Sequence, residues 1–233
     1  MQIERIEITS ELSGAMVVPD GEGPWPGAVM VHEVFGIDEN MQAQMLRLAS
    51  AGYVVVMPDL YSRGGMRKCL TATFRALAAG EGQAFHDIES AKSFLAKRAE
   101  VTDRVGVIGF CMGGGFALLL ASRDYDAAVS NYGMLPKNMN EVMSGACPIL
   151  GNYGGKDKQL SGAKQQLETC LTELKVVHDI KEYADAGHAF MNPRQGGGPF
   201  FGTLLKISGA KPNPEAAKDA WLRIENFFAE HLG

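Results

Sequence analysis

Cysteine is scarce in this chain: four residues in 233, at Cys69, Cys111, Cys147 and Cys170. No two of them form a Cys-x-x-Cys pair, which excludes a zinc ribbon or a dithiol redox motif. Scattered cysteines of this kind stay reduced inside cells, and a cytoplasmic location is expected. Long hydrophobic runs are missing too. No stretch of roughly 20 apolar residues is present to span a bilayer, so no membrane partner is expected. Met1 to Ile8 alternates apolar and polar residues, where a secretory signal needs an apolar run of roughly 7–15. Basic runs are also lacking and the formal net charge is -5. That balance argues against nucleic acid as a partner, while leaving room for a local basic pocket. No repeat, low-complexity tract or linker-like shift in composition divides residues 1–233. One domain is expected, and a monomer by default.

What is present is a 46% hydrophobic content, enough for a sizeable core. Ile3 to Ile8 and Gly14 to Val18 alternate in the manner of half-buried strands. Pro19 to Pro26 is turn-rich. Beyond it the apolar residues fall in short continuous runs: Ala28 to Val31, Tyr53 to Met57, Val105 to Phe110, Ala127 to Ser130, Ile149 to Tyr153 and Val176 to Tyr183. Runs of this kind are strands covered on both faces, which belong to parallel sheets. Helical patterns fall between them at Glu39 to Ala51, Gln83 to Arg98, Met112 to Ser122, Ser161 to Glu173 and Pro214 to His231. The pattern is that of an α/β protein with an antiparallel start and a mostly parallel central sheet, helices lying on both faces.

One segment carries chemistry. Val105 to Phe110 leads into Gly109-Phe110-Cys111-Met112-Gly113, and an apolar helix follows. Gly-x-Cys-x-Gly between a buried strand and a helix is a nucleophile elbow with cysteine in place of serine. Glycines flank such a turn because a side chain there would clash. The helix N-terminus favours a thiolate and then an oxyanion, and the Met112 backbone N–H is an oxyanion donor candidate. The plain alternative is a buried core cysteine. A phosphate cradle fits less well, because neither a dinucleotide fingerprint nor Gly-Lys-Ser/Thr is present.

A thiol nucleophile needs a base, and the base an orienting acid. Around such elbows the chain order is nucleophile, acid, histidine. Of five histidines, His188 fits: it follows a strand, in Asp185-Ala186-Gly187-His188-Ala189-Phe190. His32 and His86 precede the nucleophile, His178 lies within a strand-like run, and His231 stands at a helix end. For the acid, Asp157 follows a strand and a glycine turn; Asp185, on the histidine's own loop, is the competitor. Upstream, Met30-Val31-His32-Glu33-Val34-Phe35-Gly36 runs a buried strand into an acidic residue, which must be partnered if it is buried. The Val34 N–H is the second oxyanion donor candidate.

Taken together, His32-Glu33-Val34-Phe35-Gly36, Pro58-Asp59-Leu60-Tyr61, the Cys111 elbow, Gly155-Lys156-Asp157 and Ala186-Gly187-His188-Ala189-Phe190 resemble the dienelactone hydrolase family. The resemblance implies an α/β-hydrolase fold and the opening of a small enol-lactone or ester through an acyl-thioester. Cys111 would be the nucleophile, His188 the base and Asp157 its orienting acid. Glu33 would lie against the thiol and control its protonation, with Val34 and Met112 N–H groups on the oxyanion. No cofactor or metal is implied. The family grips a substrate carboxylate with two arginines. Here Asn192 stands four residues after the histidine, with Arg194 beyond it, and the Ser62 to Ala79 segment offers Arg63, Arg67, Lys68 and Arg75. Arg63, Arg75, Asn192, Arg194, Phe35 and Tyr132 are the substrate-binding candidates. Phe200 and Phe201, in the loop 194–202, are candidates to shape the pocket. Two other functions fit the same residues: a thioester or acyl-transfer enzyme, and a ligand-binding protein with negligible turnover.

Overall fold

The computed structural model describes residues 1–194 and 211–233. The glycine-rich stretch at 196–199, expected as a surface loop, lies outside them. Eight strands form one sheet: β1 (Glu4–Thr9), β2 (Leu12–Val17), β3 (Trp25–Val31), β4 (Val54–Pro58), β5 (Val101–Phe110), β6 (Ala127–Asn131), β7 (Ile149–Gly154) and β8 (His178–Tyr183). Their order is β1-β2-β4-β3-β5-β6-β7-β8. β2 pairs antiparallel with β1 and β4, and every other pairing is parallel. The residues account for the difference. β1 is mostly exposed, so it needs only one apolar face. β4, β6 and β7 are buried at every position, the condition of a strand covered on both sides.

The helices are α1 (Glu39–Ser50), α2 (Met66–Ala79), α3 (Gln83–Leu95), α4 (Met112–Leu120), α5 (Met139–Val142), α6 (Ala163–Glu173) and α7 (Pro214–Leu232). Asp38 caps α1 by accepting the Met41 N–H at 2.9 Å, and Asn213 caps α7 through Ala216. On β5, Gly106 faces Phe228 and Leu232 of α7, while Gly109 faces the start of α4. Three residues apart on a strand, they point to opposite faces, so α7 and α4 cover opposite sides of the sheet. α1 shares the α7 side: Gln44 accepts from the Trp221 indole at 3.1 Å, and Arg47 lies 5.0 Å from that ring. α3 shares the α4 side through Phe85 and Phe116, their rings 5.0 Å apart. Among the described residues, no helix is long and apolar enough to cross a membrane.

No helix is expected from the sequence over Ser62 to Ala79, yet α2 occupies most of that segment. The reason is local. α2 starts after Gly64 and Gly65, both with positive φ, has no side-chain cap, and fully buries only Thr73, Ala76 and Leu77. Its stripe of Met66, Cys69, Leu70, Phe74 and Leu77 has helical spacing, but the uncapped start at two glycines reads as a turn.

The elbow is where the fold is tightest. A Cβ on Gly109 would lie 1.9 Å from the Gly113 carbonyl oxygen, and one on Gly113 would lie 2.1 Å from that of Val31. Gly109→Ala should therefore destabilise the protein by about 3 kcal/mol, the upper range for overpacking. Urea unfolding measures this, and an unchanged midpoint would contradict the packing described.

Candidate active site

Cys111 sits between β5 and α4 with φ 53 and ψ -114. A non-glycine residue held there carries about 1–3 kcal/mol of strain and persists only where its surroundings enforce it. Here Asn131 enforces it, its carbonyl accepting the Cys111 N–H at 3.0 Å. The result lifts the sulfur off the strand end, part-exposed at the N-terminus of a helix that is otherwise fully buried.

His188 comes to it from the loop after β8. Its Nε2 lies 3.1 Å from Cys111 Sγ, and its Nδ1 lies 2.5 Å from Asp157 Oδ2. Asp157, 1% exposed, follows β7 and also accepts the Gln159 N–H. The competitor Asp185 is turned outward and paired with Lys156 at 2.8 Å. The order sulfur, imidazole, carboxylate is thus formed by Cys111, His188 and Asp157. Burial works against a charged imidazole, but hydrogen bonds with Asp157 and Cys111 outweigh it, and the His188 pKa is pushed up to about 10.

Glu33 follows β3 and is buried. Its carboxylate accepts from the Tyr132 hydroxyl at 3.3 Å and from Asn192 Nδ2 at 3.0 Å. Burial raises its pKa; the Asn192 hydrogen bond, nearby His188 and the Tyr132 hydroxyl pull the other way. Its hydrogen bonds go to those two residues, while the hydrogen bond of Cys111 Sγ is with His188. Tyr132 is fully buried, its ring 5.2 Å from that of His188. Tyr132 and Asn192, expected against substrate, therefore act on Glu33. Phe35 is half-buried on the same loop.

His32 has a role that its position in the sequence did not reveal. It is fully buried, its Nε2 accepts the Leu60 N–H at 3.2 Å, and its Nδ1–H donates to the Glu33 carbonyl at 2.6 Å. Burial lowers its pKa, keeping it neutral with one donor and one acceptor. Gly36 N–H meets the same carbonyl at 3.1 Å. A planar trans peptide with its C=O clamped has its N–H aimed the other way, and that N–H belongs to Val34. Tyr61 adds a second tie, its hydroxyl donating to the Val34 carbonyl at 2.8 Å. Among the described residues, the N–H groups of Val34 and Met112 have no acceptor, as an oxyanion pair requires.

The arginines are placed elsewhere. Arg63 pairs with Asp87 at 2.7 Å and Glu11 at 3.4 Å. With Arg75 it borders a cavity of about 960 Å³ beside α2 and α3, whose lining does not include Cys111 or His188. Arg194 is exposed and paired with Glu39 at 2.5 Å. Expected as carboxylate clamps, Arg63 and Arg194 are instead committed to carboxylates of the chain itself. Phe200 and Phe201 lie outside the described residues. Among the described residues, no cluster of three or more His, Cys, Asp or Glu is placed to hold a metal.

The sheet order, the elbow and the loops after β7 and β8 place the chain in the α/β-hydrolase class. Residues 12–232 match the model of the dienelactone hydrolase family. A carboxymethylenebutenolidase of Pseudomonas putida is 31% identical over 79% of this chain and 83% of its own length. Among solved structures, a dienelactone hydrolase from Anabaena variabilis covers the whole chain at 19% identity with a TM-score of 0.75. A dienelactone hydrolase-like promiscuous phosphotriesterase from metagenomic libraries does so at 21% identity and 0.80. The chain belongs to the dienelactone hydrolase family and is a hydrolase.

The histidine has a consequence for stability. Its pKa is raised from an ordinary 6.5 to about 10. The stabilisation is complete below pH 6.5 and is lost as pH rises through about 10. Stability of the wild-type protein should fall across that interval, and His188→Gln should flatten the fall. Urea midpoints taken across the interval test it; parallel curves would contradict the pairing.

Proposed function

We propose that the protein hydrolyses a small ester or enol-lactone through a covalent thioester on Cys111. The observation that carries this reading is the unbroken contact from Cys111 through His188 to Asp157 at 3.1 and 2.5 Å. His188 carries the proton of the Cys111–His188 pair as the sulfur attacks, in keeping with the raised His188 pKa. The sulfur attacks the acyl carbon, and the carbonyl oxygen takes the negative charge between the Val34 and Met112 N–H groups. Collapse breaks the bond to the leaving oxygen, which takes the His188 proton. Neutral His188 then removes a proton from water, whose oxygen attacks the thioester. The acid departs as the sulfur leaves, and His188 keeps the proton.

The substrate reading follows from charge. Arg63 and Arg194 already hold carboxylates, and Asn192 offers an amide where the family carries a cation. An arginine fork binds both oxygens of a carboxylate, and an amide cannot replace its charge. Preference for a carboxylated lactone over a neutral ester is therefore weak, within about tenfold, equivalent to about 1.4 kcal/mol.

Steady-state rates on cis- and trans-dienelactone beside p-nitrophenyl acetate test both parts. Cys111→Ala should lower kcat by about 10³-fold or more on every substrate, with the fold intact. Cys111→Ser should be much slower than wild type, because an alcohol ionises far less readily than a thiol. Unchanged activity in Cys111→Ala would overturn the mechanism. A large preference for the dienelactones would overturn only the charge argument.

A further inference from the structure

Behind the elbow runs a line of buried amides. Asn131 ends β6 and Asn152 lies in β7, and both are fully buried. An amide inside a sheet has donor and acceptor groups to satisfy, and leaving one unpaired costs about 1–3 kcal/mol. These two satisfy each other in series. Arg223 of α7 donates from a guanidinium nitrogen to Asn152 Oδ1. Asn152 Nδ2 donates to Asn131 Oδ1 at 2.8 Å, and Asn131 Nδ2 donates to the Gly109 carbonyl at 3.2 Å. Arg223 is fixed in turn by Asp179, at 2.6 Å.

The ends of this chain set its direction. A guanidinium can only donate and a backbone carbonyl can only accept. With a donor at one end and an acceptor at the other, both amides must point the same way. Reversing either would set oxygen against oxygen at one junction. The terminal contact falls two residues before Cys111, and the Asn131 backbone carbonyl holds the Cys111 N–H itself. One residue thus grips both sides of Phe110 and fixes the two peptides that enter the strained turn.

We propose that Asn131, Asn152 and Arg223 are positioning residues for the nucleophile: the largely buried guanidinium of Arg223 orients two buried amides, and these hold the elbow with Cys111 aimed at its acyl carbon. The inference rests on Cys111 being the nucleophile. Displacement of a reacting atom by about 1 Å is worth up to about 10²-fold in rate. Arg223 lies at the outer end of the line, so its loss should relax the geometry without emptying the site.

The test compares wild type, Arg223→Met, Arg223→Lys, Asn131→Asp and Cys111→Ala. Initial rates on p-nitrophenyl acetate give kcat and KM. Iodoacetamide alkylation, read by mass on the peptide carrying Cys111, reports the sulfur independently of turnover. Thermal unfolding confirms that each variant is folded at the assay temperature. Arg223→Met should lower kcat about tenfold with KM unchanged and slow alkylation in step. Arg223→Lys, still a donor, should restore most of both. Asn131→Asp, which sets an acceptor against the Gly109 carbonyl, should lose more than Arg223→Met. Wild-type kcat and alkylation in Arg223→Met would overturn the proposal, as would a loss in Arg223→Lys equal to that in Arg223→Met. If Cys111→Ala keeps its activity, the thioester reading fails instead, and that result is separate from the other four.

Discussion

The turn at Cys111 holds a cysteine at φ 53 between a strand and a helix, and much of the structure is arranged so that it can stay there. Left alone, that backbone would relax into the sheet or the helix. It cannot, because Gly109, Gly113 and Gly114 let the carbonyls of Gly113, Val31 and Asn131 approach to distances that no side chain would permit. The sheet sets those carbonyls in place: β3 and β6 flank β5 in parallel, so their ends converge on the turn. The strain is the cost of exposing one sulfur at a helix N-terminus in front of a buried imidazole.

Around that sulfur the protein uses polar groups in two different ways. On one side, Asp157 and His188 form a charged contact whose stability depends on burial and on pH. On the other, neutral groups do the orienting. His32, with its charge suppressed by burial, ties Leu60 to the Glu33 carbonyl and thereby aims the Val34 N–H. Tyr132 and Asn192 keep the Glu33 carboxylate in place, with no cation hydrogen-bonded to it.

Much of this was legible in the sequence, for physical reasons. The β3 to β7 strands carry apolar runs because their centres are covered on both faces, and the elbow appears because only glycine fits beside it; β8, expected to be covered likewise, is an edge strand that buries only Ile180 and Tyr183 and exposes the polar residues between. Cys111, Asp157 and His188 were readable from residue type and chain order. Other features were hidden. α2 is hidden behind a start of two glycines with no capping side chain, although its apolar residues have helical spacing. Residue type and position offer Arg63 and Arg194 as substrate clamps, and a sequence does not show their ion pairs with Asp87 and Glu39. Asn131, Asn152 and Arg223 come from three separate segments and meet only in the fold. A signal did exist: an asparagine at or within an apolar strand run is a buried amide in need of partners, and two such strands side by side suggest that they partner each other.

The central claim is that acyl groups pass through Cys111. Acid quenching during turnover of p-nitrophenyl acetate, followed by mass mapping of the peptides, tests this most directly. The account predicts an acetyl group on the peptide carrying Cys111, formed and lost at rates consistent with kcat. An acetyl group carried instead by another side chain, with Cys111 unmodified through the same turnover, would contradict it.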